Sequence, residues 1–209
     1  MSDDQLRAYR KDRLIELGKR AAGLKPEQTA EGISYPGIFF CTIYYTPKES
    51  GFTSERGFDA TPTTAPGLKG ATYPRDFLAA VKKEGFGRIV TPVKGMNYLR
   101  WVGGGAYGYA KVPLGRRGEV LEPRRSAAIS GRNRFLRQHD TITIRSPLVN
   151  GEIGTDDWFV CDTGGGLHPL QIDLYWGEDE PRGAVGRQRA RPAGTWLEYA
   201  FEVEVTAKR

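Results

Sequence analysis

The segment that most constrains the fold is residues 158–176, WFVCDTGGGLHPLQIDLYW, which joins two apolar runs through a glycine-rich interval. Residues 158–161 and 172–176 each have the length and the aromatic and aliphatic content of a buried strand. Three consecutive glycines between them allow the backbone to turn, to adopt a positive φ or to approach a ligand closely. The pattern predicts strand, turn and strand. Asp162 ends the first strand and Asp173 lies inside the second.

The surroundings of Asp173 favour a functional carboxylate. Period-two alternation puts Asp173 and Tyr175 on one face of the strand and three apolar side chains on the other. These are Ile172, Leu174 and Trp176. A carboxylate among such residues is costly unless it is hydrogen-bonded or unless a raised pKa serves catalysis. The alternative is that Asp162 caps the glycine turn and Asp173 is solvated on an outer face.

A further strand is predicted at residues 38–47, IFFCTIYYTP, from its aromatic and β-branched content. Alternation divides the strand into two faces. One carries Thr42, Tyr44 and Thr46, and the other carries Cys41, Ile43 and Tyr45. Either this is a core strand whose threonines only fit the pleat, or a threonine hydroxyl and a tyrosine line a groove beside the aspartates.

Composition favours a globular, mostly β chain with an anionic partner. Of its 209 residues 39% are hydrophobic, and 27 Gly and 13 Pro predict many turns. A net charge of +6 suits the acidic peptides and polymers of a bacterial wall as well as it suits nucleic acid. The chain has no RNA-binding motif, zinc-ligand spacing or phosphate-binding loop, so a nucleic-acid role rests on charge alone. Cys41 and Cys161 are compatible with a disulfide or with two buried thiols.

The predicted organisation is an N-terminal helix and linker at residues 1–26 and one β domain at residues 34–209. The helix has a narrow apolar stripe, which favours packing on the outside of that domain. Residues 55–125 are predicted to be a small α+β insertion. Its aromatic residues around a glycine run form either the core of a small sheet or a wall that stacks on sugars. These aromatic residues are Trp101, Tyr107 and Tyr109.

Two further local patterns complete the predicted domain. Asn150-Gly151 predicts a turn, and the alternating residues 195–205 predict a strand that flanks the domain. No run approaches the ~20 apolar residues of a membrane span, and the first residues lack the apolar centre of a signal peptide. A function outside the cell would therefore require a longer precursor or another route of export.

Two motifs resemble a known family. The segment from Asp162 to Gly177 resembles the aspartate-bearing segment of the three-aspartate (3D) domain and of the membrane-bound lytic transglycosylase A family. The matching residues are Asp162, Gly164, Gly165, Ile172, Asp173, Leu174 and Gly177. Residues 42–47, TIYYTP, resemble the Thr-Gly-Tyr-Tyr-x-Pro opening of the transglycosylase barrel, with Ile43 in place of the usual glycine.

The resemblance implies a six-stranded double-psi β-barrel that cleaves peptidoglycan between N-acetylmuramic acid and N-acetylglucosamine. Asp173 is the expected single acid and base, because its apolar neighbours would raise its pKa into a useful range. Asp162 is expected either to sustain that pKa by charge repulsion or to orient the substrate. The residues expected to bind substrate are Thr42, Tyr44, Tyr45, Thr163, Gly164, Gly165 and Tyr175. Neither a cofactor nor a metal is expected, and the protein is expected to be a monomer in the cell envelope or outside the cell.

One departure from the pattern motivates an alternative function. The first aspartate of the three-aspartate pattern is replaced by Ser130, and Asp140 stands where the family has glycine before Thr141. A chain with two of three carboxylates could be an expansin-like barrel that binds glycan without cleaving it. Sequence alone also leaves a transglycosylase and a hydrolase undistinguished.

Overall fold

The computed structural model describes residues 3–181 and 200–208, and within them the chain is mostly β with three α-helices. The helices are α1 (Asp3–Gly23), α2 (Arg75–Glu84) and α3 (Pro147–Ile153). The strands are β1 (Glu27–Thr29), β2 (Gly32–Pro47), β3 (Pro62–Thr64), β4 (Thr72–Pro74), β5 (Phe86–Val93), β6 (Met96–Gly103), β7 (Ala106–Ala110), β8 (Ser126–Ile129), β9 (Thr141–Arg145), β10 (Asp157–Thr163), β11 (Gln171–Asp179) and β12 (Phe201–Lys208). The mostly β class predicted from composition is confirmed. Residues 195–199 of the predicted flanking strand lie outside the described residues.

Six strands close into a ring in the order β2, β11, β8, β10, β9 and β12, because β12 pairs with β2. β1 adds an antiparallel hairpin strand to β2. β8 and β10 pair in parallel, whereas β8 with β11 and β9 with both β10 and β12 are antiparallel. Closure pairs the backbone groups of strands that would otherwise be sheet edges.

The inner face of the ring is apolar. Leu174, Ala127 and Val160 lie side by side on β11, β8 and β10, and each is fully buried. Ile172 and Ile129 form the next pair, also buried. Residues directly opposite each other on paired strands point to the same face, so these rows build a continuous core. The alternation predicted for β11 holds at Ile172, Asp173 and Leu174 but not beyond, because Tyr175 is buried and Trp176 is only half-buried.

The described chain divides into two compact units. The first comprises residues 3–43, 115–175 and 200–208, and the second comprises residues 44–114 and 176–181. Aromatic side chains such as Phe52 and Phe77 form the core of the second unit, and Trp101, Tyr107 and Tyr109 belong to it. The Tyr107 hydroxyl donates to the Leu78 carbonyl (2.9 Å), and the Tyr73 and Tyr109 hydroxyls lie 3.0 Å apart. Tyr107 thus belongs to the core of a small sheet, and the half-buried Trp101 and Tyr109 pack against that core.

Helix α1 lies against β12 in the first unit. Tyr9 meets the ring of Phe201 edge-on, with centroids 6.0 Å apart, and Leu17 is fully buried. Arg13 and Arg20 both form ion pairs with Glu202. In the described part of the chain no helix is long and apolar enough to cross a membrane.

The turn predicted at Asn150-Gly151 is wrong, because these residues lie inside α3. Ser146 is the N-cap and its hydroxyl accepts from the Val149 N–H (3.4 Å), while Pro147 occupies the first turn. Gly154 ends the helix with φ 78°. An N-cap serine followed by proline favours helix initiation, and these signals outweigh the Asn-Gly pair.

Candidate active site

The structure joins Asp173 on β11 and Thr42 on β2 by a direct hydrogen bond. The Thr42 hydroxyl donates to Asp173 Oδ1 and accepts from Gln171 Nε2, which lies 2.8 Å from Thr42 Oγ1. The Gln171 Oε1 atom in turn accepts from the His168 backbone N–H (3.0 Å). Because Gln171 donates to the hydroxyl oxygen, the hydroxyl proton is directed to the carboxyl group of Asp173. Asp173 is thereby held in one orientation by a chain of three hydrogen bonds.

His168 anchors the far end of this chain. Its Nδ1 atom accepts from the Leu170 backbone N–H (3.2 Å), which fixes the neutral tautomer with the proton on Nε2. Burial lowers the pKa of His168, and the nearby positive charge of Arg132 lowers it further. His168 is therefore neutral at pH 7, and its loop presents no charge that competes for Asp173.

Asp162 on β10 is brought to the same side of the sheet as Asp173 by a β-bulge. Asp162 and Asp173 are both directly opposite Ala128, one on each side of β8. Regular alternation from the buried Val160 would turn Asp162 inward, but the register shifts between Val160 and Asp162. The extra residue, Cys161, reverses the facing of the strand residues after it. Two strand spacings separate the Cα atoms of the aspartates by about 10 Å, and Ala128 occupies the position between them on β8.

The glycine turn packs closely on its own residues. Thr163 N–H donates to Asp162 Oδ1 (2.8 Å), and Gly164 N–H donates to the Ile129 carbonyl (3.2 Å). None of the three glycines adopts a positive φ. A Cβ atom on Gly164 would lie 2.5 Å from Leu167 Cγ, so Gly164 serves close packing, whereas Gly165 is exposed and open. Thr163 is half-buried beside Asp162.

The remaining candidates occupy other surroundings. Tyr44 and Tyr45 lie where β2 has passed into the second unit, and both are buried. Burial raises the pKa of Tyr45, and the negative charges of Glu84 and Asp179 raise it further. Tyr175 is 2% exposed on β11 and its carbonyl accepts from the Arg124 N–H (2.8 Å).

Ser130, which replaces the missing aspartate, and Asp140, which replaces a glycine of the family pattern, both form local turns. Ser130 is buried and its hydroxyl accepts from the Arg132 N–H (3.2 Å). Asp140 is also buried, and its Oδ2 accepts from the Arg137 N–H (2.8 Å). Both side chains therefore cap local turns, and neither lies in the row formed by Thr42, Asp173, Ala128 and Asp162.

Both cysteines are free and buried. Burial raises the pKa of Cys41, and the charge of Asp173 raises it further, so this residue is a neutral thiol at physiological pH. Burial is also the main cause of the raised pKa of Cys161. Within the described residues no cluster of His, Cys, Asp and Glu could hold a metal ion.

Sequence reasoning missed three residues of this site: Gln171, His168 and Ala128. Gln171 could have been found, because period-two alternation puts it on the same face of β11 as Asp173. His168 acts through its backbone N–H, and Ala128 acts through its small size. Neither property leaves a pattern in a single sequence.

No family model matches this chain, and no curated protein matches it. Solved structures with a similar fold include the two that follow. A membrane-bound lytic murein transglycosylase from Agrobacterium tumefaciens aligns over 94% of this chain and 83% of its own, with 11% identity and a TM-score of 0.52. MltA from E. coli with bound chitohexaose aligns over 99% of this chain and 85% of its own, with 12% identity and a TM-score of 0.55. The resemblance to the MltA-type lytic transglycosylases predicted from the two motifs is thereby confirmed for the fold.

Proposed function

We propose that this protein cleaves peptidoglycan glycan strands as a lytic transglycosylase, with Asp173 as its single acid and base. The observation that carries the proposal is the fixed Gln171–Thr42–Asp173 hydrogen-bond chain, on a fold shared with lytic murein transglycosylases. The six-stranded ring is, on this proposal, a double-psi β-barrel. Shared fold is not evidence of shared activity, so the site chemistry is the main argument.

The proposed reaction uses one carboxyl group twice. Asp173 first donates its proton to the oxygen of the β-1,4 bond between N-acetylmuramic acid and N-acetylglucosamine, and the C1–O bond breaks. The resulting carboxylate then takes the proton of the C6 hydroxyl as that oxygen bonds to C1. The products are a free 4-hydroxyl end and a 1,6-anhydromuramic end, and the acid is restored without water. Because Oδ1 accepts from Thr42, the transferred proton is carried on Oδ2.

Asp162 is proposed to act on the substrate by its charge. Bond breaking develops positive charge at C1 and the ring oxygen, and a nearby carboxylate stabilises that charge. The Thr163 N–H holds Asp162 Oδ1 in place. With the carboxylates as far apart as their Cα atoms, about 10 Å, and an effective dielectric of ~20–80, their repulsion is about 0.4–1.7 kcal/mol. We propose the direct role toward the sugar as the main one.

Thr42→Val is expected to lower kcat about 10-fold. Valine has the shape of threonine without its hydroxyl, so Asp173 loses a donor that orients it and Gln171 Nε2 loses its acceptor. Thr42→Ser keeps the hydroxyl and is expected to stay within about twofold of the wild type. The measurement is the initial rate at which soluble fragments are released from peptidoglycan. Melting curves for both variants show whether the fold is kept. Equal rates for Thr42→Val and the wild type would remove Thr42 from the proposed site.

The proposed activity is tested by incubating purified sacculi with the protein and determining the mass of the soluble fragments. A lytic transglycosylase releases fragments with 1,6-anhydro ends, which are one water lighter than reducing ends. Reducing ends would instead assign a hydrolase that activates water between two carboxylates.

A glycan-binding module is the second candidate, and Ser130 is the observation that favours it. The family pattern has an aspartate at this position, whereas the Ser130 hydroxyl caps a local turn. Sacculus binding without release of soluble fragments would support this expansin-like function. In either case we propose that the protein acts as a monomer in the cell envelope or outside the cell.

A further inference from the structure

A pocket of about 450 Å³ lies between α1 and the loop that carries His168, within the first unit. Arg10, Lys11, Leu14, Ile15 and His168 line it. Two of these side chains are cationic and two are aliphatic, and Ile15 is 49% exposed although it is large and apolar. This volume is within the usual range for pockets that bind small organic ligands.

The walls of the pocket are built on packed elements. Phe40 of β2 stacks on Phe201 of β12, with ring centroids 5.4 Å apart. Phe201 contacts Tyr9 of α1, and Phe40 contacts the ring of His168 at 5.8 Å. These aromatic contacts run from α1 through β12 and β2 to His168, so the helix and the loop are held on a common base.

The same loop connects the pocket to the candidate active site. The side chain of His168 lines the pocket, and its backbone N–H holds Gln171, which orients Thr42 toward Asp173. A ligand whose reacting bond lies at Asp173 could therefore extend a substituent past His168 into the pocket. The cations predict that this substituent is anionic, and the aliphatic side chains predict that it is partly apolar.

We propose that this pocket binds the acidic stem peptide of peptidoglycan. The inference rests on the proposed function, because it takes the glycan strand in the candidate site as the ligand. The stem is attached to N-acetylmuramic acid, the sugar whose bond is proposed to break, so it leaves the strand next to the reacting bond. Its carboxylates meet Arg10 and Lys11, and its alanine methyl groups meet Leu14 and Ile15. Neither cation takes part in bond cleavage, so the pocket sets substrate preference.

The test compares two soluble probes by calorimetric titration: a disaccharide that carries the stem peptide and the same disaccharide without it. The wild type is expected to bind the peptide-bearing probe about 10-fold more tightly, since two partly exposed ion pairs contribute up to ~1 kcal/mol each. Raising the salt to about 0.5 M is expected to reduce this preference, because screening weakens exposed ion pairs.

Arg10→Gln/Lys11→Gln is expected to remove the preference while the affinity for the peptide-free probe stays unchanged. Lys19→Gln/Lys25→Gln is the matched control, since it removes two exposed positive charges that do not line the pocket. Lys11→Glu alone alters one exposed side chain, brings the summed charge of positions 10 and 11 to zero and is expected to abolish the preference. It keeps the test decisive if the double variant folds poorly.

Equal affinity of the wild type for the two probes would overturn the inference, as would a preference that survives Lys11→Glu. The outcome is separable from that of the proposed function, because titration requires no cleavage. A wild type that prefers the peptide-bearing probe but releases no fragments from sacculi would support the proposed peptide-binding pocket and contradict the proposed transglycosylase activity. A wild type that releases anhydro fragments but binds both probes equally would contradict only the proposed binding of the stem peptide in the pocket.

Discussion

Asp173→Asn is expected to lower the rate of glycan cleavage about 1,000-fold while leaving the fold and sacculus binding nearly unchanged. Asparagine has almost the shape of aspartate and its carbonyl oxygen can still accept from Thr42. It cannot donate a proton to the leaving oxygen or recover one from the C6 hydroxyl. The loss therefore falls on the chemical step, within the range typical of a general acid and base. Fragment release under single-turnover conditions measures it.

The contrast between cleavage and binding makes this variant decisive. Sacculus pull-down and melting temperature are expected to match the wild type, since one hydrogen-bond acceptor replaces another. A variant that retains a tenth or more of the wild-type rate would contradict the role of Asp173 as the single acid and base. A variant that loses binding and rate together would assign Asp173 to substrate binding instead of proton transfer.

The strands that carry the site could be predicted from the sequence, because their signals are local. Residues 38–47 lie within β2, and residues 158–161 and 172–176 lie within β10 and β11. Alternation along β11 put the isoleucine and leucine inside and Asp173 on the opposite face, as the structure has it. Strong β-branched and aromatic runs bounded by glycine and proline leave few alternatives to a strand.

The relation between strands could not be predicted from these patterns. The sequence predicts a turn between Asp162 and Asp173, which would place β10 and β11 side by side as a hairpin, but β8 lies between them. The short parallel strand β8 contains Ala127 and Ala128, and its sequence carries no strong strand signal. It is placed by tertiary packing, since Ala127 and Ala128 are buried between the rows of β10 and β11.

Tyr44 and Tyr45 show the limit of assigning a face by alternation. Alternation separates the two tyrosines, yet both are buried, because β2 continues from the first unit into the second. One face of a long strand can therefore have one environment in the first unit and a different environment in the second. Thr42 lies just before this passage and retains its contact with Asp173.

Asp162→Asn is expected to lower kcat on the order of 100-fold, and the reason lies in the bulge at Cys161. The bulge turns Asp162 to the outer face beside Ala128 and Asp173, where its charge can act on the sugar. Asparagine retains the oxygen that accepts from the Thr163 N–H, so the glycine turn keeps its cap and only the charge is lost. A 100-fold loss corresponds to about 2.7 kcal/mol of transition-state stabilisation.

Asp157→Asn is the matched control for this prediction. Asp157 lies on the same strand, five positions before Asp162 in the sequence, and accepts from the Thr143 hydroxyl (2.7 Å) outside the proposed site. Its kcat on sacculi is expected to stay within about twofold of the wild type. If Asp162 only caps the turn, Asp162→Asn would cleave at the wild-type rate and Asp162→Ala would lower the melting temperature. That pair of results would assign Asp162 to structure, because a cap requires an acceptor whereas a developing positive charge requires an anion.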